Sequence, residues 1–108
     1  MRLLVRDLQR VYLRRHETRQ DAVGGVVSAY ADPVPIEAAL QPLSGAVAVN
    51  AYGLSANDML LLLYDGQEAL QPMDGIDIQA EGAAQPEYQI EAVRQWHGLT
   101  SCDLRRTV

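Results

Sequence analysis

The chain has 108 residues and a formal net charge of −5, with nine Arg, no Lys, no Phe and a single Cys. That length supports one domain, residues 1–108, with a modest core, and no apolar run reaches the ~18 residues of a membrane-crossing helix. One Cys excludes an intramolecular disulfide and fits a reducing cytosol, and the opening apolar run, broken at Arg6 and Asp7, is too short for a signal-peptide core.

In chain order, Leu4, Leu8, Val11 and Tyr12 share one face of a short helix. The stretch from Val11 to Arg15 reads equally as a strand. A short N-terminal helix or arm running into a strand is expected. Residues 20–25 form a turn, with Gly24 and Gly25 able to take positive φ. Val26–Tyr30 is the returning strand. Residues 32–35 are an extended connector, since each Pro pushes its predecessor toward extended geometry. Residues 36–40 form the next strand, which Pro42 ends or confines to an edge. Residues 43–58 are small, weakly polar and Gly-punctuated, a long loop or a loosely held strand. Met59–Tyr64 is the strongest apolar run, of a length that suits a strand buried on both faces. A loop with Pro72 follows, then a strand at 76–79 and a Gly/Pro turn. A longer strand begins at Tyr88, turns at His97 and Gly98, and returns as the terminal strand. The last three strands make an antiparallel meander.

The expected fold class is all-β: a small antiparallel β-barrel or sandwich of six to seven short strands, with a long central loop. Fourteen of the apolar residues are Ala, so the core rests on Leu, Val, Ile and the Tyr and Trp residues. Leu13, Leu40, Leu61, Leu63, Ile78, Tyr88, Ile90 and Trp96 are its expected members.

Charge is segregated along the chain. Residues 1–19 carry six Arg against Asp7 and Glu17. Residues 20–93 carry eleven carboxylates and no Arg or Lys. Residues 94–108 carry Arg94, Arg105 and Arg106 against Asp103. Two basic ends that meet in space would give the subunit one positive and one negative face, suited to docking of identical copies or of a partner. Arg10, Arg14, Arg15, Arg105 and Arg106 are the interface residues this predicts. Solvated surface with a bias toward Arg explains the same pattern without any partner.

Chemistry is sparse. Cys102 and His97 lie near each other across a turn, but a thiol nucleophile needs a base, an orienting group and an oxyanion donor, and a buried core Cys accounts for the residue. Asp74, Asp77 and Glu81 lack the calcium-loop spacing. Two His are too few for a zinc site without Cys support. No glycine-rich phosphate loop follows Gly24 and Gly25. No catalytic, cofactor-binding or metal-binding residue is predicted. The acidic middle and the few aromatics disfavour nucleic-acid binding through the Arg-rich start.

The strand from Val11 to Arg15, the stretch from Ile36 to Gly45 with its Pro42, the Ala51-Tyr52-Gly53 turn, Met59 to Leu63, and everything from Asp74 onward resemble, in order, the phage head–tail joining or head-closure (stopper, neck) family, including prophage minor capsid proteins. The likeness is carried by apolar positions, turns, Tyr88-x-Ile90 and Val93-x-x-Trp96. It implies a barrel subunit of a virion neck ring, of twelve copies in that family, assembled in the host cytoplasm. The partners implied are a portal or adaptor on the head side and a tail terminator or tail tube on the other. DNA would pass through the lumen without specific binding, the acidic middle repelling phosphate. Residues 43–58, with Ser44, Gly45, Asn50, Tyr52, Gly53 and Asn57, would gate the channel or clasp a neighbour. A tail-side joining or tail-terminator protein and a small-barrel binding module are the alternatives.

Overall fold

A computed structural model describes residues 8–43, 52, 59–78 and 85–107. Eight strands occur among them. β1 (Gln9–Arg14), β4 (Val34–Pro42), β5 (Met59–Tyr64), β8 (Leu99–Arg106), β7 (Tyr88–Trp96) and β6 (Gly75–Asp77) pair in that order and close into an antiparallel barrel. β2 (His16–Gln20) and β3 (Val26–Tyr30) form a separate two-stranded hairpin, inserted between β1 and β4. The all-β expectation holds. The count is eight rather than six or seven because the first strand breaks at Arg15 and the following hairpin leaves the barrel.

The core follows from the two-residue period of a strand. Val11 and Leu13 of β1, Ile36 and Ala38 of β4, Leu62 and Tyr64 of β5, Ile76 of β6, Ile90 of β7, and Cys102 and Leu104 of β8 fill the interior. Leu70, from the loop after β5, joins them. A six-strand barrel is narrow enough for side chains to fill it. Residues 8–12 are not helical: Val11 is buried and Tyr12 half-buried, and β1 pairs with β4 and β6 across its length. Residues 1–7 lie outside the described residues.

Three core expectations are corrected. Leu61 and Leu63 are only half-buried, while Leu62 is fully buried. Five consecutive apolar residues from Met59 carry no alternation, so pairing with β4 decides the face: Leu62 lies opposite Leu40, and Leu63 opposite Ala39. A one-residue slip exchanges the faces. Trp96 is 70% exposed, because the β7–β8 hairpin runs past the barrel wall and residues 94–98 are all exposed. Leu40, Ile78 and Tyr88 pack on the core from partly buried positions.

A register shift between Ile90 and Ala92 marks a bulge in β7. One added residue resets the alternation, so Tyr88, Ile90 and Val93 all pack toward the core. The turn at His97 and Gly98 has φ of 48° and 81°, the positive pair that a tight I′ hairpin uses.

Candidate assembly surface

Strands alternate in direction around the barrel, so the ends of β1, β5 and β7 and the starts of β4, β6 and β8 share one rim. From this rim rise the β2–β3 hairpin, the loop of residues 65–74 and the tip at His97 and Gly98. The hairpin is an arm, and residues 18–28 are all exposed.

The arm's turn is held locally. The Asp21 carboxylate accepts from the amides of Val23 (3.0 Å) and Gly25 (2.7 Å), and the Asp21 amide donates to the Gly25 carbonyl (2.8 Å). Gly24 takes φ +87°, where a side chain would be strained. The ordered turn therefore presents Val23 to solvent, 91% exposed, with Val26 and Val27 beside it. At the arm's root, His16 and Tyr30 lie opposite each other in the ladder and meet edge to face, their ring centroids 5.5 Å apart. His16 Nε2 is buried with no hydrogen-bond partner among the described residues.

Arg15 fastens this root to the neighbouring loop. Its guanidinium pairs with Glu68 (3.0 Å) and Asp74 (3.2 Å) and donates to the Ala69 carbonyl. Asp74, almost fully buried, also accepts from the His16 amide at 2.8 Å. On the same rim, exposed Trp96 leans edge-on against His97 at 4.9 Å. It borders a shallow groove with Gln67, Glu68 and Leu99. Met73, with φ 77°, is half-exposed in the same loop. The exposed large apolar side chains among the described residues are Val23, Val26, Val27, Val34, Met73 and Trp96, and all six belong to the arm or its rim.

The five predicted interface arginines divide. Arg14 is 5% exposed, pairs with buried Asp77 at 3.0 Å and donates to the Ala31 carbonyl at 2.6 Å. It is therefore internal to the subunit, and reversing its charge attacks the fold rather than a surface. Arg15 is engaged within its own rim. Arg10 pairs with Glu37 at 3.3 Å and lines a groove with Asp65 and Glu68, while Arg105, paired with Glu91 at 2.7 Å, and exposed Arg106 lie toward the opposite rim. Arg19 pairs with Glu17 and Arg94 with Asp103. Much of the charge segregation along the chain is thus neutralised within the subunit, which composition alone did not reveal.

Of the predicted loop residues, Ser44, Gly45, Asn50, Gly53 and Asn57 lie outside the described residues. Tyr52 is described: its hydroxyl donates to Asp103 at 2.6 Å, and Arg105 lies over its ring at 5.9 Å. Burial, with Asp103 accepting its proton in a hydrogen bond, pushes the Tyr52 hydroxyl up to about 12. Burial by itself would raise Asp103, but hydrogen bonds from Arg94 and Tyr52 outweigh it and hold the carboxyl below its usual range. Burial pushes the Cys102 thiol up to about 12, which favours its neutral form. Among the described residues no three His, Cys, Asp or Glu side chains cluster to hold a metal ion.

No family model matches the chain, and no curated protein matches it. Among solved structures it is similar to protein SF1141 from Shigella flexneri 2a, with a TM-score of 0.70, 12% identity and coverage of 98% of each chain. At that identity the likeness establishes a shared fold, a small closed β-barrel.

Proposed function

We propose that the chain is a structural subunit of the neck of a tailed phage or prophage. It forms a ring that joins the head, through the portal or adaptor, to the tail and closes the DNA channel after packaging. The observation that carries this reading is the gathering, among the described residues, of exposed large apolar side chains on one rim and its arm. Large apolar groups collected on one face of a small domain mark a surface that another protein covers. The order of strands and turns, similar to the head–tail joining family along most of the chain, supplies the kind of assembly.

The test is electron microscopy of the purified protein mixed with portal rings of the same phage or prophage. Rings of this chain seated on the portal are expected. Rings bound only to tail tubes would move the protein to the tail side. Particles that bind neither would overturn the reading. The groove beside exposed Trp96 favours a second reading, a small-barrel module that takes a peptide, and a protein that binds peptides while leaving portal and tail bare would establish it.

A further inference from the structure

β2 and β3 stand outside the closed barrel, so their outer sides are the open strand edges among the described residues. The ladder between them decides which backbone groups face outward. Opposed residues of an antiparallel pair alternate between bonded and non-bonded positions. The Ala31 amide donates to the Arg15 carbonyl at 2.9 Å, and the Asp21 amide to the Gly25 carbonyl at 2.8 Å. Between these two ends the register makes Glu17 with Ala29 and Arg19 with Val27 the inward-bonded pairs. His16, Thr18 and Gln20 of β2, and Val26, Ser28 and Tyr30 of β3, therefore turn their backbone groups outward. The His16 amide agrees with this, since it leaves the ladder and donates to Asp74 at 2.8 Å.

The two edges are unequal. β2 carries the charges of Glu17 and Arg19, and Asp74 covers its root. β3 reads Val-Val-Ser-Ala-Tyr, with no charge, Pro or bulge to turn a further strand away. Val26 is 71% exposed and Val27 44%, and Ser28 between them and the root is exposed too. Among the described residues no backbone hydrogen bond outside the β2 ladder reaches Val26, Ser28 or Tyr30. Tyr30 is fixed in place by the His16 ring and by Gln89 Nε2, which donates to its hydroxyl at 3.4 Å.

We infer that the β3 edge pairs antiparallel with the β3 edge of a second copy, Ser28 opposite Ser28, joining two arms into one four-stranded sheet. The strand is its own complement in that register. Val26 falls opposite Tyr30, a β-branched residue against an aromatic one, and on the other face Val27 falls opposite Ala29. Every outward N–H and C=O of Val26, Ser28 and Tyr30 then meets a partner. Centring the pair on Val27 would set Tyr30 opposite Gly24 in the turn, and centring it on Ala29 would set Val26 opposite Asp32 beyond the strand. A lone two-stranded hairpin is marginal in water, and added strands stabilise it. The contact is isologous and saturates at two copies. It goes beyond the neck reading and does not build a ring; it would join copies, or two rings, in pairs.

Ser28 faces itself across the proposed contact, so charge placed there is diagnostic. Ser28→Lys and Ser28→Asp each set like charges opposite one another, whereas an equimolar mixture sets Lys against Asp. In sedimentation velocity each variant alone should have half the mass of the unaltered protein, and the mixture should restore it. Circular dichroism of each variant checks the fold. A second measurement reads the register directly. Val27 and the second copy's Ala29 form a non-bonded pair, with Cα atoms about 4.5 Å apart, within the span of a disulfide. Val27→Cys protein mixed with Ala29→Cys protein under mild oxidation should give a heterodisulfide much faster than either gives a homodisulfide, and Cys102 is fully buried. An unaltered protein whose mass neither Ser28 substitution halves overturns the proposal. So does a mixture that fails to restore it, or a heterodisulfide no faster than the homodisulfides. Rings seated on the portal without this pairing would leave the neck reading standing and overturn this one. Paired arms with bare portals would do the opposite.

Discussion

Asp103 shows how one residue ties an outer face together. It is buried at 3% exposure on β8, accepts from Tyr52 at 2.6 Å and pairs with Arg94. A carboxylate left with its charge partners is stabilised; one replaced by a neutral amide loses the ionic part and leaves a donor unmatched. Asp103→Asn should therefore lower stability at neutral pH by about 1–3 kcal/mol. The pH dependence follows from the carboxyl lying below its usual range in the folded chain. The stabilisation is fully present above the ordinary Asp value near ~4 and fades as pH falls through the lower folded value. Urea titrations of both proteins should show a gap at pH 7 that narrows in strong acid. A gap that persists unchanged into acid would refute the ionic account. Sequence reading assigned Asp103 no role, because its partners Tyr52 and Arg94 stand 51 and 9 residues away.

Among the elements, β5 carries the clearest stability contrast. Leu62 points into the core, and Leu61 sits half-exposed on the other face. Leu62→Ala should cost about 2–5 kcal/mol, through lost burial and the cavity left behind. Leu61→Ala should cost clearly less, since less of its area leaves water on folding. Denaturant midpoints at equal slope check this, and equal losses would mean a different register. The strand's bounds were legible because the run from Met59 to Tyr64 is apolar and Asp65-Gly66 stops it. Its facing was not, because an unbroken apolar run has no period to read. The arm shows the reverse case. Its turn and returning strand were evident from Asp21, Gly24 and Gly25, but that the hairpin leaves the barrel depends on which strands β1 and β4 choose as neighbours.

At the scale of the whole molecule, the barrel and the arm are separable in energy. The core residues all come from the barrel strands and Leu70, and none from β2 or β3. Replacing residues 18–28 by a two-residue Asn-Gly turn should therefore leave the barrel folded, with its melting temperature changed by only a few degrees. A thermal melt of the shortened chain checks this. Loss of the cooperative transition would show that the arm is part of the fold. The ion pairs make the same point about scale. Arg14 and Asp77, 63 residues apart, meet inside the subunit because β6 closes the barrel against β1. A buried pair that loses one partner leaves an uncompensated charge, which is strongly destabilising.

What the sequence determined by itself was local: an all-β chain, the turns at residues 21–25 and 97–98, the extent of Met59–Tyr64, and the terminal meander. These follow from φ preferences of Gly and Pro and from the apolar runs between them, which act over a few residues. Only the tertiary structure decided the rest. Strand neighbours chose which Leu of β5 is core, carried Trp96 past the barrel wall, drew Arg14 inside, and left six large apolar side chains of the described residues exposed on the arm and its rim. Each of those outcomes depends on contacts between residues far apart in the chain, where pairing and closure of the barrel, rather than local preference, set the energy.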